Sequence, residues 1–219
     1  MLPLNFATNR RGNYRILCLG AHSDDIEIGC GGSILQLLQR HRNLDFHWVV
    51  FSSGHKRERE ARRSAGLFLR GAAKENVVVH DFRNGYFPSV LSDIKDYFEE
   101  LKAEISPDII FTHTRHDLHQ DHRALNQLTW NTWRNHVILE YEIPKYDGDL
   151  GTPNFYIPFD RKIGARKIKY LMDCFGTQRD KHWFTPDTFH GLMRIRGIEA
   201  NSEGGLAEGF YARKVVLGG

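Results

Sequence analysis

Apolar residues in this chain fall into short blocks, and the blocks alternate between two periods. Tyr14 to Ala21 is a continuous apolar run ending on a polar cluster, as expected of a buried strand. Gly31 to Arg40 carries Ile34, Leu35, Leu37 and Leu38 at helical spacing. Phe46 to Phe51 predicts a second strand, closed by Ser52-Ser53-Gly54. Lys56 to Arg70, charged and then apolar, predicts a helix, and Val77 to Val79 a third strand. Ser89 to Ile105 places Val90, Leu91, Ile94, Tyr97, Phe98 and Leu101 on one face of an amphipathic helix. Pro107 then introduces a fourth strand, Asp108 to Thr112.

This alternation predicts βαβ units and a parallel sheet. The expected fold is α/β, a Rossmann-like three-layer arrangement with a mostly parallel sheet flanked by helices. In such sheets ligands bind beyond the carboxyl ends of the strands. The polar clusters His22–Asp25, Ser52–Lys56, Arg83–Tyr86 and His113–His122 all follow strand ends, so they should gather on one edge. After about Ala124 the pattern is less regular. Strands are expected at Val137–Ile143, Asn154–Pro158 and Phe210–Leu217, with helices at Lys162–Cys174 and Pro186–Arg196. No linker divides the chain, so one domain over residues 1–219 is expected.

Composition narrows the function classes. Hydrophobic residues make up 41% and charged residues 26%, as in an ordinary globular protein. A formal net charge of +3 gives no argument for nucleic acid or an anionic membrane surface. Cys18, Cys30 and Cys174 are odd in number and form no CxxC pair, which argues against a disulfide framework. No apolar segment has the length of a membrane helix, and the N-terminal stretch reads as the approach to a first strand and not as a signal peptide. A cytoplasmic location is expected.

Two constellations carry chemistry. Residues 21–32 read Ala-His-Ser-Asp-Asp-Ile-Glu-Ile-Gly-Cys-Gly-Gly. His22 and Asp25, three apart at a turn into a helix, can converge on one metal ion, and zinc accepts both donor types. Asp24 would point elsewhere and could accept a proton from water. The competing reading is an ordinary strand-end turn with Asp24 or Asp25 as helix N-cap. Gly29, Gly31 and Gly32 do not have the dinucleotide-loop spacing. Residues 113–123 read His-Thr-Arg-His-Asp-Leu-His-Gln-Asp-His-Arg, with His119-x-Asp121-His122 as the core that could supply a further ligand and an acid. The competing reading is a solvated His-rich loop, to which His113 and His116 are assigned. Three protein ligands and one open position form the pattern of a catalytic zinc site.

The A-H-x-D-D-x-E-x-G-x-G-G and H-x-D-H-R stretches together resemble the two hallmark motifs of the PIG-L/LmbE-like zinc-dependent N-deacetylases. The resemblance extends over roughly the first 135 residues and includes Arg57-x-x-Glu60-Ala61; Ala207-Glu208-x-Phe210 is similar to a late family element. It implies that His22, Asp25 and His122 bind one zinc or another divalent ion, and that Asp24 is the general base. It implies that His119 is the general acid or stabilises charge on the reacting carbonyl, that Asp121 orients a histidine, and that Arg57 contacts substrate. The implied reaction is removal of the acetyl group from an N-acetylated, GlcNAc-type sugar or conjugate. A small-molecule sugar partner is thus expected, with no nucleic acid, no membrane insertion and room for a homo-oligomer. Ser23 and Gln120 stand where the family has proline, which removes loop stiffening but no ligand. Two other readings are a zinc hydrolase of another ester or amide and a non-catalytic Rossmann-like binding module. For Arg57 the competing role is a helix-face ion pair with Glu60. Trp130 and Trp133 are assigned to the core, and Gln178–Phe184 is read either as a sugar-cleft lining or as aromatic packing.

Overall fold

The computed structural model describes residues 12–216. The expected N-terminal approach before residue 12, and Leu217, lie outside the described residues. Strand and helix alternate four times: β1 (Tyr14–His22), α1 (Asp25–Arg40), β2 (Leu44–Ser52), α2 (His55–Phe68), β3 (Lys74–Val79), α3 (Leu91–Glu104) and β4 (Ile109–His113) as expected, followed by α4 (Gln120–Thr132). The remainder is β5 (Val137–Tyr141), β6 (Phe155–Phe159), α5 (Arg161–Cys174), α6 (Pro186–Glu199) and β7 (Leu206–Tyr211). The final strand therefore ends at Tyr211, upstream of the Phe210–Leu217 span that the apolar pattern predicts. Helix α4 has no counterpart in that pattern; the second His-rich cluster runs straight into it.

The sheet has seven strands in the order β3-β2-β1-β4-β5-β7-β6. Strands β1 to β5 are parallel, while β7 pairs antiparallel with both β5 and β6. Chain order reverses between β1 and β4, which creates the crevice where ligands sit in doubly wound folds. Two apolar clusters cover the faces. One holds Ile34 and Leu38 of α1, Phe68 of α2, Leu171 of α5 and Met193 of α6. The other holds Ile94, Phe98 and Leu101 of α3 with Leu125 and Leu128 of α4. Trp133 is fully buried, whereas Trp130 is half-buried and donates through Nε1 to Glu140. Among the described residues, no helix is long and apolar enough to cross a membrane.

The glycine-rich stretch is part of α1 and not a loop. A Cβ on Gly29 would lie 2.2 Å from the Tyr141 ring, and one on Gly32 would lie 2.5 Å from the Phe159 ring. These residues let α1 press onto the sheet, which fixes where its N-terminus, and so Asp25, projects.

A candidate metal centre at the strand switch point

His22 closes β1 and Asp25 opens α1, so a two-residue turn carries both from the sheet into the crevice. Asp24 occupies the N-cap position, but its side chain caps nothing. Asp25 instead turns back, and its Oδ2 accepts from the His22 amide at 2.7 Å. His122 comes from the first turn of α4, which follows the neighbouring strand β4. Its Nε2 lies 3.2 Å from His22 Nδ1 and 3.5 Å from Asp25 Oδ2, and His22 Nδ1 lies 3.3 Å from Asp25 Oδ2. A tetrahedral ion with bonds of ~2.0–2.1 Å needs ligand atoms roughly 3.3 Å apart. The three donors thus have the spacing of three corners of a zinc tetrahedron, and their chemistry, two imidazoles and one carboxylate, suits a divalent ion.

Each imidazole is aimed by a carboxylate behind it. Asp121 Oδ2 lies 3.3 Å from His22 Nε2, and Asp117 Oδ2 lies 2.8 Å from His122 Nδ1. Outer-shell carboxylates of this kind fix ring orientation and raise ligand basicity. Asp121 is itself held by the Gly85 amide at 2.6 Å and the Phe87 amide at 3.0 Å, and Asp117 by Lys145 at 3.1 Å. Sequence reasoning missed Asp117 entirely, because no motif pairs it with a histidine five residues later.

The second cluster also corrects the reading of His113. It is fully buried at the end of β4 and stacks on His122 with ring centroids 3.8 Å apart. His113 Nε2 approaches Asp25 Oδ2 at 3.2 Å, so His113 belongs to a possible donor group with Asp25 and His122. That nitrogen already accepts from the Ala21 amide at 3.0 Å, which makes it a poorer ligand than His22. His116 is exposed, as the loop reading expects.

His119 is the N-cap of α4: its Nδ1 accepts from the Asp121 amide at 3.3 Å. That bond places the ring proton on Nε2, leaving an N–H free to donate. The ring centroid is 4.9 Å from that of His22 and 4.6 Å from that of His122. Asp24 Oδ1 accepts from Arg57 Nη2 at 2.6 Å. Arg57 therefore reaches the site, but its partner is Asp24 and not Glu60. Glu60 turns instead to Thr177, accepting from its amide at 3.0 Å and from its hydroxyl.

Electrostatics sort these groups. Burial opposes ionising Asp25, but His122, His113 and His22 outweigh it and hold the carboxyl well below its usual range. Burial raises Asp24, and Asp25 adds to the rise, while the Arg57 guanidinium opposes both. Burial would lower His22, yet Asp25, Asp121 and Asp24 together push it up to about 9. Burial, with His113, pushes His122 down to about 3, and burial also lowers His119. The carboxylates around His22 thus demand a cation, either a proton on the ring or a metal ion that displaces it.

A family model described as PIG-L, GlcNAc-PI de-N-acetylase, matches residues 17–133, which span both clusters. The chain is 32% identical over 154 residues to the uncharacterized deacetylase YaiS of Escherichia coli (strain K12), covering 64% of this chain and 78% of that protein. Its fold is similar to the N,N'-diacetylchitobiose deacetylase of Pyrococcus horikoshii, solved with its inhibitor MPG: TM-score 0.64, 19% identity, 90% of this chain and 82% of that one. It is also similar to GalB, the 4-carboxy-2-hydroxymuconate hydratase of Pseudomonas putida KT2440: TM-score 0.71, 15% identity, 94% of this chain and 98% of that one. The shared fold therefore carries more than one chemistry. With its two motifs, its sheet and that match, this chain belongs to the PIG-L de-N-acetylase family.

Proposed function

We propose that this protein is a divalent-metal-dependent hydrolase, with zinc the best fit, that removes the acetyl group from an N-acetylated, GlcNAc-type sugar or conjugate. The observation that carries the reading is the near-tetrahedral spacing of His22 Nδ1, Asp25 Oδ2 and His122 Nε2 beside a carboxylate, Asp24, that ligates nothing in that triad. These three side chains would hold the ion, which when bound polarises a carbonyl and makes a water more acidic.

The chain's own residues supply the rest. Asp24 accepts a proton from the attacking water; burial raises its affinity for that proton, and Arg57 fixes the carboxylate through Oδ1. His119 offers its Nε2–H to the acetyl oxygen as charge builds there. The new C–O bond forms, the C–N bond breaks, and the proton that Asp24 took from the water passes to the leaving nitrogen. Acetate and a free amine result. Asp121 and Asp117 hold the two imidazoles in place throughout.

The test is acetate release from a panel of N-acetylglucosamine, its methyl glycosides, its 1-phosphate and N,N'-diacetylchitobiose, with and without chelator. Asp24→Asn should keep its metal and lose turnover by about 10²-fold or more, the usual size of a general-base contribution. Full turnover in Asp24→Asn with metal bound would remove Asp24 from the mechanism. Absence of acetate release across the panel, from metal-loaded protein, would overturn the deacetylase reading.

A further inference from the structure

At the far end of α1, away from the metal centre, the surface opens into a hollow with a cavity volume of about 290 Å³. Small-molecule sites begin at roughly this size. Its lining is apolar below, where Leu35 and Leu38 of α1 belong to the core. Above them it is cationic. Arg42 stands in the turn from α1 into β2, Arg70 in the turn from α2 toward β3, and Lys162 and Arg166 in the first two turns of α5. A helix rise of ~1.5 Å per residue puts even Leu35 ~15 Å from Asp25 along α1, and Arg42 lies farther still. The hollow is therefore separate from the metal centre.

Three elements of the chain thus bring four exposed cations to one concavity. Other cations of the same helices have partners: Arg62 of α2 pairs with Glu58 at 2.9 Å, and Lys169 of α5 with Asp173 at 2.5 Å. Among the described residues, none of the four in the hollow has an ion-pair partner, and residues 1–11 and 217–219 contain neither Asp nor Glu. The one carboxylate in the lining, Asp160, is committed to capping α5, where its Oδ1 accepts from the Ile163 amide at 2.8 Å. A formal net charge of only +3 for the whole chain conceals this concentration. Like charges gathered in this way repel one another, and an anion that enters the hollow relieves the repulsion.

The donor set selects among anions. Arg42, Arg70 and Arg166 each present a planar fork that matches the oxygens of a phosphate two at a time, while Lys162 adds a point charge. A single carboxylate satisfies one fork. Two linked phosphoryl groups can satisfy three forks and the ammonium together. The apolar floor lowers the dielectric beneath these contacts and strengthens each of them. We propose that this hollow is a second binding site, independent of the metal centre, for a small molecule bearing a diphosphate group.

The test is calorimetric titration of the full chain with inorganic diphosphate, with orthophosphate as the comparison. Diphosphate should bind at least about tenfold more tightly than orthophosphate, and rising salt should weaken it. Arg70→Ala and Arg166→Ala, both at exposed positions, should each weaken diphosphate binding by about tenfold or more and leave thermal unfolding unchanged. Lys102→Ala, which removes a positive charge from the surface of α3, should leave binding intact. His122→Ala, which disables the metal centre, should leave it intact as well. Cosedimentation with phosphatidylcholine vesicles containing phosphatidylglycerol separates a soluble diphosphate from a lipid surface. Vesicle binding through Arg70 and Arg166 without affinity for free diphosphate would overturn the proposal. So would equal affinity for orthophosphate, no diphosphate binding, or diphosphate binding that is lost in His122→Ala or kept in both arginine variants.

Discussion

Asp117 shows how much of the site lies behind the residues that would touch a metal. It accepts from His122 Nδ1 while Lys145 and the His119 amide hold its other oxygen, Oδ1. Burial opposes its ionisation, but His122, His113 and Lys145 keep it ionised far below the ordinary carboxylate range. Asp117→Asn should therefore weaken metal binding by ~10–100-fold, the usual effect of losing such a partner, with the fold intact. Chelator competition measures this, and an unchanged affinity would show that Asp117 does not orient the ligand. The sign of the pH dependence follows from the two histidines. Without metal His22 carries a proton up to about 9, whereas His122, at about 3, is already neutral. Between pH 6.5 and 8.5 metal affinity should thus rise by about tenfold per unit, one proton being displaced. A flat profile would mean that His22 is not a ligand. The motif residues were legible because each set is contiguous in the chain. His113 was misassigned to a solvated loop because nothing local says that β4 runs one residue further and buries it. The Arg57–Asp24 bond was invisible because it joins the starts of two helices across the crevice.

At the scale of elements, α1 is held to the C-terminal half by a buried ion pair. Glu208 of β7 accepts from the Gly32 and Ser33 amides at 2.8 and 2.7 Å. Lys167 of α5 donates to Glu208 at 2.6 Å and to the Ile28 carbonyl at 2.6 Å. Removing one partner leaves a buried charge uncompensated, so Glu208→Gln should cost about 3–5 kcal/mol, measured by urea unfolding. Pairing it with Lys167→Met should recover much of that loss, since both charges are then gone. A small cost for Glu208→Gln alone would contradict this account of the pair. The first four strands and three helices could be read from apolar spacing, because each repeats a local period. Helix α4 could not, since its first turn is Gln120, Asp121, His122 and Arg123, a polar run chosen for chemistry and not for periodicity. Strand β7 was misplaced because its pairing partners are β5 and β6, far away in the chain, and local pattern carries no record of them.

For the whole molecule, the sheet order places the ends of β1 and β4 side by side, and the two motifs, about a hundred residues apart, meet there. The parallel half positions the donors, while the antiparallel β7–β6 edge anchors α1 through Glu208. On the proposed function, one ion held by His22, Asp25 and His122 is required for amide hydrolysis. The most direct measurement is to strip the protein with chelator and titrate zinc back while following acetate release. Stripped protein should release no acetate, release should rise linearly and break at one equivalent, and His122→Ala should not recover at that equivalence. Acetate release that survives stripping, or that returns in His122→Ala at one equivalent, would contradict it.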